Sequence, residues 1–379
     1  MIYFDNAATS RFKPKSVYDA LIFDIAHSAN AGRGGHNESL SKTLQIEKCR
    51  KYLLSKFGAN QNYNLIFTKN CTEALNLALL GGIKKGARVL TSQNEHNSVL
   101  RPLFKLKNDG VITLKVLEQD QNGRIRISDI ESCAQNFDYF VFGGACNVTG
   151  AICDIKAIGK IAKEHGIKLI VDGAQSVPYI PIDMQEDEVC ALACPGHKGL
   201  HGVQGTGFLV VRNDMSLTPL IFGGTGTQSI EVSPPLQMPD SYEAGTQFSG
   251  GISALYQGAK WSFDNVDKTR KNIVRLSINL INGLNTLGAT IYTHDVDTGI
   301  VAFNFGDIDS TLIADKLNDY DICVRSGLHC APLVHKYLGT TCQGAIRVSF
   351  GCDNNQNEVA YFLSILEKVL KTPTNIHLN

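Results

Sequence analysis

The sequence lacks an excess of charge of either sign. Its 379 residues include 36 Lys and Arg against 36 Asp and Glu, so the formal net charge is zero. It also lacks an apolar run long enough to span a bilayer, and its first residues contain no basic stretch followed by an apolar one. We therefore expect a cytoplasmic protein that bulk charge does not hold to nucleic acid or to a membrane.

Paired cysteine spacing is also missing, although the chain has 11 cysteines. In a chain expected to be cytoplasmic, scattered cysteines are mostly small buried residues rather than members of a disulfide framework. His329, Cys330 and His335 lie close together in the sequence, but no second pair completes a tetrahedral set of ligands. No metal site is predicted.

From about residue 64 the sequence alternates short apolar runs with helical stretches. Strands that are buried on both faces are predicted at 64–68, 88–91, 112–117, 139–145 and 168–172. This order is typical of α/β folds, in which helices cover both faces of a mostly parallel sheet. After a Gly- and Pro-rich stretch at 223–251, a long helix over about 254–285 and shorter alternating elements predict a second, smaller α+β domain toward the C-terminus.

A lysine and an aspartate are the strongest candidates for chemistry. Lys198 lies in a Gly-rich loop between two apolar runs, and an amine partly removed from water there is a nucleophile toward carbonyl groups. A plain hairpin with an exposed lysine at its tip is an equal alternative. Asp172 ends another apolar run, and by itself it could be a helix N-cap. Together the two are the pair that pyridoxal phosphate (PLP) requires, a Schiff-base lysine and a carboxylate for the pyridine nitrogen.

Further candidates follow from where ligands bind in parallel sheets, which is at the carboxyl ends of the strands. Thr72, His96 and Asn147 each follow a predicted strand. Thr72 opens a helix whose N-terminus suits a phosphate, although an ordinary helix cap is the favoured interpretation of this stretch alone. His96 could lie on a cofactor ring or move a proton, and a structural histidine is an equal alternative.

The predicted small domain contributes a cysteine and an arginine. Cys330 lies on a loop framed by Gly and Pro, close to Arg325, and nearby cations favour a reactive thiolate. Any one of 11 cysteines is more often structural than catalytic, but the loop sets Cys330 apart from those in strands and helices. Arg347 lies among apolar neighbours, where its planar guanidinium calls for an anion such as a carboxylate; an internal salt bridge is the alternative.

Taken together, these residues resemble the class V, fold-type I PLP-dependent enzymes, and within them the group II cysteine desulfurases, which include selenocysteine-lyase-like proteins. The likeness runs from Tyr3 to Ser349 and is most specific at 171–175, 196–198 and 325–330. The resemblance implies the PLP-transferase fold, with a seven-stranded-type sheet in a large PLP-binding domain over 15–250. It also implies a small domain made of 1–14 and 251–379, and a homodimer with shared active sites.

The resemblance also implies a role for each matching residue. Lys198 would link to PLP and later move a proton, His96 would stack on the ring, and Cys330 would take up sulfur. Asp172 would contact the ring nitrogen and Gln175 the ring hydroxyl. Thr72, His197 and Thr246 of the partner subunit would hold the phosphate, and Cys71 is a further implied PLP contact. The implied substrate contacts are Asn147, Arg325, Arg347 at the carboxylate and Arg33 toward the neighbouring active site.

The implied function is conversion of L-cysteine to L-alanine, with a persulfide on Cys330 for transfer to an acceptor protein. The alternatives are a selenocysteine lyase acting on L-selenocysteine, another class V lyase or aminotransferase, and a silent PLP-binding scaffold for sulfur relay. The sequence departs from the family pattern at Pro195, where many relatives have a phosphate-binding serine, and at Cys71 and Gln247. The loop after Cys330 is also one residue tighter than in the best-known group II members.

Overall fold

A computed structural model of the chain describes residues 1–32, 35–226, 230–233 and 235–371. The strands, in chain order, are β1 (Ile2–Tyr3), β2 (Tyr63–Thr68), β3 (Arg88–Ser92), β4 (Thr113–Leu117), β5 (Tyr139–Gly143), β6 (Lys168–Asp172), β7 (Val189–Pro195), β8 (Gly207–Arg212), β9 (Thr290–Ile291), β10 (Ile300–Asn304), β11 (Ile322–Cys323) and β12 (Ile346–Ser349). The α-helices are α1 (Lys15–Ala26), α2 (Asn37–Lys56), α3 (Cys71–Leu80), α4 (Asn97–Asn108), α5 (Ile127–Glu131), α6 (Ile155–Glu164), α7 (Ser249–Asp264), α8 (Val266–Thr286), α9 (Ser310–Asn318), α10 (Pro332–Leu338) and α11 (Gln356–Lys371).

The chain forms two compact units. The large unit consists of 13–145 and 152–266, and the small unit of 1–12, 146–151 and the described residues from Asp267 onward. This division differs from the predicted boundary at residue 251. Helix α7 belongs to the large unit because Ile252, Leu255 and Ala259 on its buried face join the large unit's apolar core. The stretch predicted as one long helix is two helices, α7 and α8, which meet at Asn265.

A seven-stranded sheet organises the large unit. Its strand order is β2-β8-β7-β6-β5-β3-β4. The pairs from β7 through to β4 are parallel, while β8 runs antiparallel to both of its neighbours. The predicted mostly parallel sheet is therefore confirmed. Since β2 and β7 each pair antiparallel with β8, β2 points the same way as the parallel strands.

Alternating side chains on each strand enter two different apolar cores, one on each face of the sheet. Along β5, for example, Phe140 and Phe142 pack into one core, whereas Tyr139 and Val141 pack into the other. All seven residues of β7 are buried. This two-sided burial is why these strands appear as continuous apolar runs in the sequence. Because both faces of the sheet are buried, polar side chains lie mainly at the ends of the strands.

The small unit has two short sheets of its own. Strand β10 pairs antiparallel with β9 and β12, and β1 pairs in parallel with β11. The aromatic ring of Phe4 makes edge contacts with Phe350 and Phe362, and Phe303 also meets Phe362. The N-terminal strand is thus part of this core, although most of the small unit comes from residues beyond 266. Within the described ranges, no helix has both the length and the apolar character needed to cross a membrane.

Replacing Gly159 by Ala should destabilise the large unit by about 2 kcal/mol, net of a gain of roughly 1 kcal/mol in helix propensity. Gly159 lies on α6, and an added Cβ would collide with the backbone carbonyl oxygen of Asp187. Backbone cannot move aside as a flexible side chain can. The measurement is the denaturant unfolding midpoint. Gly35→Ala is the control, because no atom of the described residues beyond its chain neighbours lies within 4 Å of its added Cβ. Equal midpoints for the two variants would contradict the expectation.

Candidate active site

The predicted site residues of the large unit lie at one edge of the sheet. Strands β2, β3, β6 and β7 all point toward this edge, because they are parallel to one another. Thr72 follows β2, His96 follows β3, Asp172 ends β6 and Lys198 follows β7. The rule that ligands bind at the carboxyl ends of strands therefore selects the same edge for all four residues.

Asp172 is a buried carboxylate that makes two hydrogen bonds through one oxygen. Its Oδ1 accepts hydrogen bonds from the Ala174 amide at 2.9 Å and from the Cys71 thiol at 3.5 Å. Burial, followed by the charge of Asp172, holds the pKa of the Cys71 thiol well above its usual value, while Lys198 acts in the opposite direction. Cys71 is therefore a neutral thiol that donates to Asp172. Both of these bonds use Oδ1, so within the described residues Oδ2 is the oxygen that could accept from a protonated ring nitrogen.

The Lys198 loop is folded back on itself and is not an exposed hairpin tip. Strands β7 and β8 do form an antiparallel pair, but Gly202 donates its amide to the Gly196 carbonyl at 2.8 Å and so closes the connection between them. The His201 amide bonds to the Lys198 carbonyl at 2.9 Å, and the buried His201 ring lies 2.9 Å from the Ser262 hydroxyl of α7. Lys198 itself is half-buried. The loop thus presents its amine from a fixed backbone.

His197, next to the lysine, is a neutral histidine. Burial lowers its pKa to about 4, and the charges of Lys198 and Lys13 contribute to the same direction. Lys13 reaches the His197 carbonyl oxygen at 3.1 Å. A neutral imidazole has one N–H that can donate to an anion without adding a charge to the site.

His96 and Thr72 are joined through a residue that the sequence did not single out, Ser98. The His96 Nδ1 accepts from the Ser98 amide at 3.0 Å, so the ring of a neutral His96 carries its proton on Nε2. The Ser98 hydroxyl lies 2.9 Å from the Thr72 hydroxyl. His96 is thus the N-cap of α4, which is the structural role that the sequence left open for it. The same bond holds its ring in a fixed orientation at the carboxyl end of β3.

Glu95 is a second buried acid beside Asp172, and it lies in the stretch 94–96 that follows a predicted strand. It is 2% exposed, with Oε1 bonded to the Ser92 hydroxyl at 2.5 Å and Oε2 to the Gly143 amide at 2.8 Å. Burial raises the pKa of Glu95 to about 8, and the charge of Asp172 adds to this rise. Glu95 is therefore mostly a neutral carboxylic acid near neutral pH. The sequence around Glu95 does not reveal that its carboxyl is buried, because one of its hydrogen-bond partners, Gly143, lies 48 residues away in the chain.

The segment that carries Thr246 is fixed by a buried ion pair. The Arg50 guanidinium binds both oxygens of Glu243, at 2.9 and 3.0 Å, and Glu243 also accepts the Phe67 amide of β2 at 2.7 Å. Thr246 follows three residues later and is exposed. Gln175, just after β6, is half-buried. Arg33 lies outside the described residues.

The small unit brings Arg347, Asn147 and the Cys330 loop together. Arg347 is 2% exposed and its Nη2 lies 3.0 Å from an Asp5 oxygen, which is the internal salt bridge that the sequence left open. Its Nη1 donates to the Asn147 carbonyl at 2.9 Å, and among the described residues its Nε has no hydrogen-bond partner. Burial lowers the pKa of Arg347, and Asp5 opposes this effect. An unused buried N–H is a feature that a bound carboxylate would satisfy.

Cys330 is one of two exposed cysteines, together with Cys342, while the other nine are buried or half-buried. It lies on a turn between β11 and α10. Arg325 is near Arg347, since their backbones form an antiparallel bridge. The backbone bonds of that bridge measure 3.1 and 2.7 Å. The exposed thiol and the buried guanidinium therefore belong to one connected part of the small unit.

These observations fit a pyridine cofactor that carries a phosphate. The large unit offers an amine on a fixed loop, a buried carboxylate with one oxygen to spare, and hydroxyl and imidazole donors at the same sheet edge. Such a donor set defines the PLP-dependent enzymes of this fold.

Comparisons with known proteins agree. Residues 2–362 match the family described as Aminotransferase class-V. The chain is 33% identical to a protein named probable cysteine desulfurase from Pyrococcus abyssi, over 98% of this chain and 95% of that one. It is 29% identical to another of that name from Borreliella burgdorferi, over 98% and 92%. The apo structure of a cysteine desulfurase from Thermococcus onnurineus superposes with a TM-score of 0.90 at 32% identity, covering 98% and 94% of the two chains.

The chain belongs to the class-V aminotransferase family, on its cysteine desulfurase side. The resemblance and the fold predicted from the sequence are confirmed. Enzymes of this family depend on PLP, so the predicted cofactor is confirmed as well. The roles of single residues and the division into domains 15–250 and 1–14 with 251–379 remain predictions.

Replacing Glu95 by Gln should change how stability depends on pH. A carboxyl whose pKa is raised to about 8 in the folded state binds a proton that the unfolded chain has already lost, so its contribution is full at acid pH and is lost as pH rises from about 5 to 9. The glutamine side chain would keep both contacts without titrating, with its oxygen accepting from the Gly143 amide and its NH2 donating to the Ser92 hydroxyl oxygen. We expect wild type to lose stability relative to Glu95→Gln by on the order of 3 kcal/mol across this range.

The measurement is the denaturant unfolding midpoint of the PLP-loaded protein between about pH 5 and 9, the range set by the raised pKa of Glu95. Glu131→Gln serves as the control, because Glu131 is exposed. Its midpoints should follow those of wild type at every pH. Parallel curves for wild type and Glu95→Gln would show that the buried carboxyl does not titrate in this range.

Proposed function

We propose that this protein is a PLP-dependent cysteine desulfurase, which converts L-cysteine to L-alanine and places the sulfur on Cys330 as a persulfide. The observation that carries the proposal is the exposed Cys330, held on a fixed turn that is hydrogen-bonded to the same segment as the buried Arg347. The names of the relatives support the reaction, because proteins named cysteine desulfurase match nearly the whole chain.

The large unit would hold the cofactor. PLP, when bound, supplies an electron sink for the amino acid. Lys198 would bind its aldehyde carbon and later carry a proton at Nζ, while Asp172 Oδ2 would keep the pyridine nitrogen protonated. The His96 ring would lie against the pyridine, and Gln175 would bond to the ring oxygen. The phosphate contacts would be Thr72, His197, the N-terminus of α3 that begins at Cys71, and Thr246 of the partner subunit.

The small unit would bind the amino acid and receive its sulfur. Arg347 would bind the substrate carboxylate through its unused N–H, with Asn147, Arg325 and Arg33 around it. The Cys330 thiolate would attack the substrate sulfur. The Cys330 Sγ–S bond forms as the substrate Cβ–S bond breaks, the electron pair passes to the substrate carbon, and a proton completes alanine. Transfer from Cys330 to an acceptor protein would then restore the thiol.

None of the alternatives has a structural observation in its favour over this one. A selenocysteine lyase or another class V lyase or aminotransferase would share the same large-unit residues. A silent scaffold is opposed by the presence of every residue type that the reaction needs. The group II assignment and the L-selenocysteine reaction remain predictions, and both are tested by comparing the two substrates.

We also propose that the protein is a homodimer. Helix α1 exposes Tyr18, Ile22 and Ile25 along one stripe, with exposed fractions of 51%, 65% and 64%, while its other face packs on α7. Helix α2 adds exposed Leu40 and Leu44. An exposed apolar stripe of this kind favours self-association. A second copy would bring its own exposed Thr246 segment to the interface, as the shared active sites require.

The proposed location is the cytoplasm, which the 11 free thiols support. The zero net charge supports the further proposal that the partners are L-cysteine and an acceptor protein, not nucleic acid or membrane.

Cys330→Ala should abolish sulfur release while leaving PLP binding intact. We expect alanine and sulfide production from L-cysteine to fall by about 100-fold or more in the presence of a thiol reductant, because no thiolate remains to attack the substrate sulfur. Cys342→Ala is the matched control, since Cys342 is the other exposed cysteine, and it should retain full activity. If Cys330→Ala keeps wild-type activity on L-cysteine, the assigned mechanism is wrong.

Ile22→Asp should convert the dimer into a monomer. Ile22 is 65% exposed in the apolar stripe of α1, and a charge there would have to be buried in the interface. Sedimentation velocity gives the mass of each species. Ile278→Asp is the control, because Ile278 is 46% exposed on α8 and outside this stripe. A monomeric wild type, or a dimeric Ile22→Asp variant, would contradict the proposed interface.

A further inference from the structure

The turn that carries Cys330 has an unusual backbone. His329 and Cys330 are consecutive non-glycine residues in the left-handed region, with φ of 49° and 59°, and Gly327 has φ of 90°. A left-handed conformation is unfavourable for a residue with a side chain, because its Cβ crowds the following carbonyl oxygen. Two in succession persist only where surrounding contacts hold them. The contacts on either side of Cys330 therefore decide the shape of this turn.

The first contact comes from Asn147. Its side-chain Nδ2 donates to the His329 carbonyl oxygen at 2.6 Å, directly before Cys330. Both residues are buried, with 6% of Asn147 and 4% of His329 exposed. In turn the His329 ring bonds through Nε2 to the Ala345 carbonyl at 3.0 Å. A buried hydrogen bond of this length, made to the carbonyl within the strained pair, fixes the peptide plane that leads into Cys330.

The second contact lies on the other side of Cys330. Ala331 is fully buried in an apolar cluster with Cys146, Val148 and Ala151, and its amide closes the turn by bonding to the Leu328 carbonyl at 2.9 Å. The exposed thiol therefore stands between two buried residues. Both are held by the same short segment, 146–151, which is itself closed by a bond from the Cys146 amide to the Ala151 carbonyl at 2.9 Å.

The same segment also touches the buried arginine. The Arg347 Nη1 donates to the Asn147 backbone carbonyl at 2.9 Å, so one residue bonds to the guanidinium through its backbone and to the cysteine turn through its side chain. The Asn147 Oδ1 has no hydrogen-bond partner among the described residues. The side-chain amide nitrogen of Asn147 thus already makes a hydrogen bond within the protein, whereas its amide oxygen is available to accept one.

We infer that Asn147 is a positioning residue for Cys330, whose amide holds the left-handed turn in the conformation that presents the thiol and ties that turn to Arg347. The inference rests on the proposed function, since it takes Cys330 as the sulfur acceptor and Arg347 as the carboxylate ligand. It assigns Asn147 a role in the substrate-free enzyme, beyond that of a substrate contact. It also explains how a thiol can be exposed without its turn being loose.

The test is hydrogen–deuterium exchange of the PLP-loaded protein without substrate, read at peptides that cover 326–331. Asn147→Ala removes the donor, and Asn147→Asp keeps the side-chain volume but turns an acceptor oxygen toward the His329 carbonyl. In both variants we expect the Ala331 amide to exchange about tenfold faster than in wild type or more, as the loss of one buried hydrogen bond implies. Asn354→Ala is the matched control, because Asn354 is also 6% exposed in the small unit and donates to a carbonyl, that of Tyr3.

The control should leave exchange in the turn at the wild-type rate. The inference is overturned if Asn147→Asp exchanges like wild type there and only the KM for L-cysteine rises, because Asn147 is then a substrate ligand alone. Should Asn147→Ala fail to fold, the isosteric Asn147→Asp decides. A fall in kcat of about tenfold or more accompanies the faster exchange if the proposed reaction is right. Faster exchange in a protein without desulfurase activity supports the positioning role and refutes the function, so the two failures are distinguishable.

Discussion

The buried charge of Asp172 is the constraint around which the large unit's site is arranged. Removing a carboxylate from water is costly unless hydrogen bonds or a cation compensate, and Asp172 receives one backbone amide and one thiol, both at Oδ1. The acids around it stay neutral: burial and the charge of Asp172 together raise the pKa of Glu95, Cys71 and Cys194. The acids nearest Asp172 are therefore neutral, and Lys198 supplies positive charge nearby. A protonated pyridine ring is the partner that such an arrangement favours.

Sequence reasoning found the residues whose signal is local and missed those whose role depends on distant contacts. Asp172 and Lys198 follow apolar strands, so both the strand and its end can be recognised in the sequence. Asp5 pairs with an arginine 342 residues away, and no spacing rule connects them. The predicted boundary at 251 and the division into compact units, which puts α7 in the large unit, differ for a similar reason. The apolar stripe of α7 is visible in the sequence, but which core it enters is not, and Asn265 gives only a weak signal that a helix ends.

Pro195 is a departure from the family pattern that lies near the proposed phosphate contacts. It ends β7 as a buried residue paired with Gly207, and it has neither a hydroxyl nor an amide hydrogen to offer a phosphate. The hydroxyls of Thr72 and Ser98 stand 2.9 Å apart at the first turns of α3 and α4. Under the proposed function, these two hydroxyls are the nearest candidates for the donor that a serine in place of Pro195 would have supplied.

The two units meet different physical demands. The large unit keeps acids neutral and backbone loops closed, which suits the binding of one cofactor regardless of the reaction that follows. The small unit differs, because it exposes the Cys330 thiol on a left-handed turn that buried hydrogen bonds hold. A strained turn held by buried hydrogen bonds costs stability and confers a defined direction on the thiol. Since the large-unit residues would serve a lyase or an aminotransferase equally well, we attribute the proposed sulfur chemistry to Cys330 and to the segment 146–151 that contacts its turn.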